Sequence, residues 1–309
     1  MNKILILISL LTIGKQMFSQ NKVAITIDDA PNITLYQNRK ENAGLIWKLD
    51  SLKIPVTLFI NEKLLYETND LKKNIQLLNT WSQSAYISCG NHSFSHARYS
   101  EVEIDSFRTE VIKGEFFTRP LTEQNNKELK YFRLPYNDLG KDSIQQIQLL
   151  DFLKEQKYLV APFTIESSDW MFNTVYEYYI EHKEYSKAEE IGKSYVNKTL
   201  EYFKFFDELS LECHGRVINQ IYLCHDNAIN ADYLPLLLGK LKKRNKEFIG
   251  LDEALQDKLY DRRERYYKKW GISWLYRWMS SQEQRAHYMK TEPSLEDLIN
   301  TYEKLIVNP

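Results

Sequence analysis

"VAITIDDAPN", residues 23–32, is a β-branched, near-continuous apolar run that closes on two adjacent aspartates, Asp28 and Asp29, just ahead of Pro31. Such a run predicts a strand buried on both faces, as in a parallel sheet covered by helices. Two like charges at its end are opposed by mutual repulsion and by partial burial. The pair reads in two ways: as a turn and helix N-cap before the proline, or as a site where a bound cation keeps both acids charged.

Working outward, six more runs read as strands: "IPVTLFIN" (54–61), "AYISCGN" (85–91), "YFRLPY" (131–136), "YLVAPFTI" (158–165), "QIYLCHD" (220–226) and "EFIGLD" (247–252). Stretches at 39–53, 62–81, 141–156 and 233–245 carry apolar residues at three- and four-residue intervals, which predicts helices between most of them. Seven alternating units with doubly apolar strands predict an α/β fold over residues 20–256 and suit a distorted, closed or nearly closed parallel (β/α)7 barrel of TIM-like form better than an open sheet, although periodicity alone does not separate the two. Residues 171–217 are long, charged and helical in pattern, and read as an insertion in that single domain. The basic, aromatic tail at 257–309 reads as a helical extension closing one end of the barrel rather than a glycan-binding surface.

The first 19 residues, with Lys3 ahead of an apolar run from Ile4 to Ile13, predict a signal peptide cleaved near Ser19 and a periplasmic or secreted protein. No cysteine precedes Cys89, which argues against a lipid anchor there, and no later segment is apolar for long enough to insert stably in a membrane. The formal net charge of −1 becomes −3 once Lys3 and Lys15 are lost with the leader, so no field exists to attract nucleic acid. A near-neutral glycan is a natural partner, although composition alone does not choose it. Cys89, Cys213 and Cys224 read as buried thiols, without the spacing of a structural zinc site.

Parallel barrels carry their chemistry at the C-terminal ends of the strands. Those ends hold Asp28 and Asp29, His92 and His96 in "NHSFSH", Arg133 in "RLPY", Asp169 and Trp170 in "SSDW", and His225 and Asp226. His92 and His96, four apart, can meet one divalent ion on a helical turn, although a satisfied histidine pair has the same spacing. "HSFSH" lacks the glutamate of a zincin, so a third ligand has to come from elsewhere, and a carboxylate at the end of the first strand is the economical source. The other aspartate can then accept a proton from metal-bound water.

Five segments in order, "TIDD" (26–29), "HSFSH" (92–96), "RLPY" (133–136), "SSDW" (167–170) and "LCH" (223–225), resemble the motifs of the polysaccharide deacetylases, carbohydrate esterase family four. The similarity spans roughly residues 22–255, and "GISWLYRW" in the tail resembles a subgroup with a TIDDxP first motif. It implies a hydrolase that removes acetyl groups, N-acetyl before O-acetyl, from a polysaccharide or oligosaccharide. It also implies Asp29, His92 and His96 as ligands of one divalent metal, Zn2+ before Ni2+ or Co2+. Asp28 becomes the general base, His225 the general acid, Arg133 the partner of Asp28 and Asp169 the partner of His225. Tyr136 would supply an oxyanion N–H, and Trp170 would line the substrate site. "IESSDW" has Glu166 where the family more often has aspartate, which leaves Glu166 and Asp169 both open as the partner of His225.

Two alternatives stand beside this reading: a non-catalytic glycan-binding relative, and an iron oxygenase using the same two-histidine, one-carboxylate ligand set. The order Asp, His, His on parallel strands argues against the oxygenase. Chitin-type chains, peptidoglycan, acetylated xylan and small acylated sugars all remain open as substrates.

Overall fold

The computed structural model describes residues 21–38 and 44–307; the expected leader at 1–19 and the start of the helix expected at 39–53 lie outside them. Eight strands form one sheet: β1 (Asn21–Ala30), β2 (Val56–Ile60), β3 (Ile87–Asn91), β4 (Tyr131–Phe132), β5 (Leu159–Val160), β6 (Ile165–Glu166), β7 (Gln220–His225) and β8 (Lys246–Ile249). Their order is β5-β4-β3-β2-β1-β7-β6, with β8 on β1, and every pairing is parallel. The curled sheet wrapped by helices is the distorted (β/α)7 barrel expected from the sequence.

β1 is its centre. Val23 and Ala24 pair with β7 on one edge and β8 on the other, and from Ile25 onward that second edge passes to β2. Val23, Ala24, Ile25 and Ile27 are all within 1% of complete burial. Side chains the size of Val23, Ile25 and Ile27 contribute about 1.5–3 kcal/mol each on full burial.

The fifth run, expected as one strand, is two. Pro162 cannot donate to a ladder, and the chain changes partners around it. Ala161 N–H still donates to Phe132 O on the β4 side (2.8 Å), whereas Thr164 N–H donates to Ile221 O on the β7 side (2.9 Å). The ring is therefore closed by this short covalent passage rather than by a ladder. β4 is also shorter than expected, since Pro135 ends it in a 3-10 turn, Pro135–Asn137.

The stretch at 62–81 divides into a 3-10 turn, Glu62–Tyr66, and a helix, Leu71–Gln83, because Asp70 caps the latter by accepting from Lys73 N (3.1 Å). Between β6 and β7 run the helices Asp169–Glu181 and Tyr185–His214. Phe172 packs on Tyr195 (5.6 Å between centroids) and Phe203 on Tyr222 of β7 (5.1 Å), fixing the two helices to each other and to the barrel.

The tail contains the helices Trp274–Arg277, Gln282–Met289 and Glu296–Tyr302, but Arg262 to Ser273 is not helical as expected. Hydrogen bonds from within the tail hold this segment in place instead. Arg265 N donates to Arg277 O (2.9 Å), and the buried Arg285 donates from Nη2 to Arg265 O and Met279 O, both at 2.7 Å. All three cysteines are free thiols; Cys89 and Cys224 are buried, but Cys213 is only partly so. No helix among the described residues is long and apolar enough to cross a membrane.

Candidate active site

The two aspartates at the end of β1 part company through the backbone. Asp28 is still in the ladder, paired with His225 of β7, and its side chain is buried. Asp29 adopts φ 55°, a left-handed conformation unusual outside glycine, which turns its half-exposed carboxylate toward the β3 loop. There Asp29 Oδ1 lies 3.5 Å from His92 Nε2 and 3.4 Å from His96 Nε2. Ligand atoms of all three residues fall within 4.8 Å of one another.

His92 is buried, and its Nδ1 donates to Arg133 O at 2.7 Å. That bond leaves Nε2 as the lone-pair nitrogen, facing Asp29 and His96. Burial, with the His96 charge beside it, pushes the ring down to about 3, so it stays neutral as a metal ligand must. His96, at φ 62°, reaches the same point from the loop. Two imidazole nitrogens and one carboxylate oxygen, with the outer nitrogen of His92 already committed, fit a divalent first-row ion such as zinc and leave coordination positions open.

Arg133, wholly buried, stands behind Asp28 with Nη1 3.6 Å from Asp28 Oδ2. Its Nη2 donates to Thr26 Oγ1 (3.1 Å) and Pro162 O (3.2 Å). Burial raises the Asp28 carboxyl above its usual range, and the Arg133 charge opposes that rise. Asp28 Oδ1 has no hydrogen-bond partner among the described residues.

Across the β1–β7 ladder, Asp169 Oδ1 accepts from His225 Nδ1 at 2.8 Å, so Asp169 and not Glu166 is the partner of His225. Asp169 Oδ2 takes three more donors: His225 N (2.8 Å), Asn227 Nδ2 (3.1 Å) and Asn230 Nδ2 (2.5 Å). Burial opposes charge on both groups. On Asp169 the histidine and these donors prevail and lower the carboxyl; on His225 the Asp169 carboxylate, aided by Asp29 and Asp28, raises the imidazole to about 10. Glu166 instead accepts from Ser168 N at 2.5 Å, and burial next to Asp169 lifts it to about 7. Ser168, at φ 55°, turns the chain so that Asp169 begins the following helix and points back at β7.

Asp28, Asp29, His92, His96, Glu166 and His225 open on one cleft of about 1220 Å³, which also takes in Tyr136 and Trp170, while Arg133 and Asp169 lie recessed behind it. Tyr136 sits in the 3-10 turn at φ 57°, its ring 4.6 Å from His96 and capped by the Arg98 guanidinium at 3.9 Å.

From the sequence Asp226 stands at a strand end with no assigned role. In the structure its N–H donates to Asp28 O (3.0 Å), its Oδ2 accepts from Asn32 N (2.8 Å), and its carbonyl accepts from Asn32 Nδ2 (2.9 Å). It therefore grips the chain on both sides of Asp29. Nothing in the local sequence announces this, because the partners are nearly two hundred residues apart. Trp270 and Gly271 of the tail were likewise missed and also line the cleft.

The polysaccharide deacetylase family profile matches residues 15–170. A peptidoglycan-N-acetylglucosamine deacetylase from Bacillus cereus is 23% identical over 153 residues, 50% of this chain and 48% of that protein. The chain thus spans about half the length of the curated relative it matches. Among solved structures, a polysaccharide deacetylase from Bacillus cereus superposes with a TM-score of 0.51 at 18% identity, covering 74% of this chain and 91% of that one. A variant of a carbohydrate esterase family 4 pseudoenzyme from Bacillus anthracis, with restored enzymatic activity, gives 0.51 at 15% identity over 77% and 68%. At these identities the two superpositions speak to the fold alone.

Proposed function

The chain belongs to the polysaccharide deacetylase family, and we propose that it is a metal-dependent hydrolase that removes acetyl groups, N-acetyl groups above all, from a polysaccharide or oligosaccharide outside the cytoplasm, after loss of a leader near Ser19. One observation carries the reading. A three-ligand cluster and a carboxylate-held histidine flank Asp28, a buried acid whose Oδ1 has no partner among the described residues. The relative named for peptidoglycan N-acetylglucosamine supports an amide-linked substrate.

Asp29, His92 and His96 would hold the ion. When bound, a zinc ion, or nickel or cobalt in its place, would polarise the acetyl carbonyl and acidify the attacking water. Asp28, kept ionisable by Arg133, takes a proton from that water as its oxygen bonds to the carbonyl carbon. The Tyr136 N–H is the candidate donor to the oxygen that gains charge. His225, held protonated by Asp169, gives its proton to the sugar nitrogen as the carbon–nitrogen bond breaks, yielding acetate and a free amine.

The test is acetate release from a panel of N- and O-acetylated glycans by the zinc-loaded protein, before and after chelation. Chelator-sensitive release, reduced at least ~100-fold in Asp28→Asn and in His225→Ala, is expected. Glycan binding with no acetate release from the loaded wild type would overturn the proposal.

A further inference from the structure

Four exposed aromatic side chains share the cleft: Tyr66, Tyr136, Trp170 and Trp270, the last 59% exposed. Single exposed aromatics need no explanation, whereas several around one concavity mark a binding surface. Trp270 comes from the tail, beyond the residues that the family profile matches, and it is held there by a rigid anchor. Gly271 presses on the Pro135–Asn137 turn so closely that a Cβ would fall 2.0 Å from Tyr136 O, a contact only glycine permits. Ser273 Oγ then donates to Thr164 O (2.7 Å) and Trp274 N to Phe163 O (3.0 Å), seating the segment on the passage between β5 and β6. Farther along, Tyr302 meets Trp170 edge to face at 6.0 Å. The tail thus supplies one indole of the cleft and braces another.

The volume also needs an occupant. A cleft of about 1220 Å³ exceeds the ~300–1,000 Å³ that suits a drug-sized ligand, yet the chemistry above engages a single acetyl group. Indole rings offer a flat apolar face with a polar edge, which matches the C–H face of a pyranose better than it matches a charged ligand.

Resting on the deacetylase reading, we propose that the C-terminal tail builds a subsite for a sugar ring flanking the one that is deacetylated, with Trp270 as its platform. The protein then discriminates by chain length and binds an N-acetylated oligosaccharide better than a disaccharide.

Binding and turnover of N-acetylated chitobiose and chitopentaose, measured side by side on the zinc-loaded full chain, test this. Wild type should bind the pentasaccharide more tightly than the disaccharide. Trp270→Ala should weaken pentasaccharide binding about tenfold and reduce the pentasaccharide-to-disaccharide ratio of kcat/KM by a similar factor, mainly through KM. Trp270→Phe should restore most of both, and the thermal midpoint of Trp270→Ala should match wild type, since the ring is exposed. Equal pentasaccharide affinity in wild type and Trp270→Ala, including none in either, overturns the subsite whatever the turnover. Tryptophan-dependent binding without acetate release leaves the subsite standing and sinks only the deacetylase reading.

Discussion

Replacing Asp169 by asparagine should move the basic limb of the pH–rate profile down by about three and a half units or more. In the native protein the Asp169 carboxylate holds His225 protonated up to about 10 against the burial that opposes its charge. With the carboxylate neutralised, burial is left as the leading influence, and the imidazole returns to its ordinary value of about 6.5 or below. The direction follows from the role: the acid must carry its proton, so activity is present below the histidine's pKa and lost above it. At pH 8.5 a group of pKa about 10 is ~97% protonated and one of about 6.5 only ~1%, a loss near 100-fold in kcat/KM. At pH 6 the two proteins should differ far less. Some destabilisation accompanies the change, because Asp169 Oδ2 now accepts from three donors and an amide cannot satisfy them all, at about 1–3 kcal/mol. A purely structural defect, however, lowers activity at every pH alike. The assay is acetate release between pH 5 and pH 10, with the His225 ring titrated by NMR in both proteins. A basic limb that stays in place, or a variant within threefold of wild type at pH 8.5, would refute the assignment of His225 as an acid maintained by Asp169.

The metal cluster makes a stoichiometric prediction: wild type loaded with zinc and gel-filtered should carry about one ion per chain, and Asp29→Ala or His96→Ala close to none, so retention of a full ion by either variant discards the ligand set. Asp226→Ala removes the acceptor of Asn32 N–H beside Asp29 and should weaken zinc binding about 10- to 100-fold in a competition titration, while Asp226→Asn, which keeps one oxygen, should recover part of it; unchanged affinity in the alanine variant means the grip does not orient Asp29. Gly271→Ala places a methyl 2.0 Å from Tyr136 O, and the forced shift should cost about 1–3 kcal/mol, seen as a midpoint several degrees lower by calorimetry; an unshifted midpoint would mean the tail is free to lift away.

Much of the barrel was legible because parallel strands buried on both faces leave long β-branched runs, and because such barrels gather their polar residues at one end of those runs. Asp28, Asp29, His92, His96 and His225 could each be placed at a strand end from the sequence, and the structure brings them to one cleft. What escaped was set by single dihedral angles and distant partners. The choice between Glu166 and Asp169 turns on Ser168 at φ 55°, which reverses the chain between two acids three residues apart. The division of the fifth strand turns on Pro162, a ladder position without a donor. The tail at 262–273 reads as helical from its basic and aromatic composition, yet neighbouring backbone groups claim it. No periodicity records that choice.

The paired aspartates show how one backbone angle can divide two identical side chains between tasks. While the chain keeps strand geometry, successive side chains alternate between faces of the sheet, and Asp28 accordingly faces the barrel interior, where Arg133 is the compensating charge. Had Asp29 continued the strand, it would have pointed to the opposite face, away from both imidazoles. Its left-handed backbone, a conformation costing roughly 1–2 kcal/mol for a residue with a Cβ, swings the carboxylate into the mouth of the barrel instead. That cost is tolerated because the turn is clamped from β7: Asp226 N–H on the Asp28 carbonyl, and the Asp226 carboxylate on Asn32 N–H. The same clamp sits one residue from His225 and ties the last turn of β1 to the strand that carries the acid. The proposed base, ligand and acid are thus set by one pair of adjacent parallel strands, which is why loosening Asp226 should disturb metal binding first and His225, independently held by Asp169, much less.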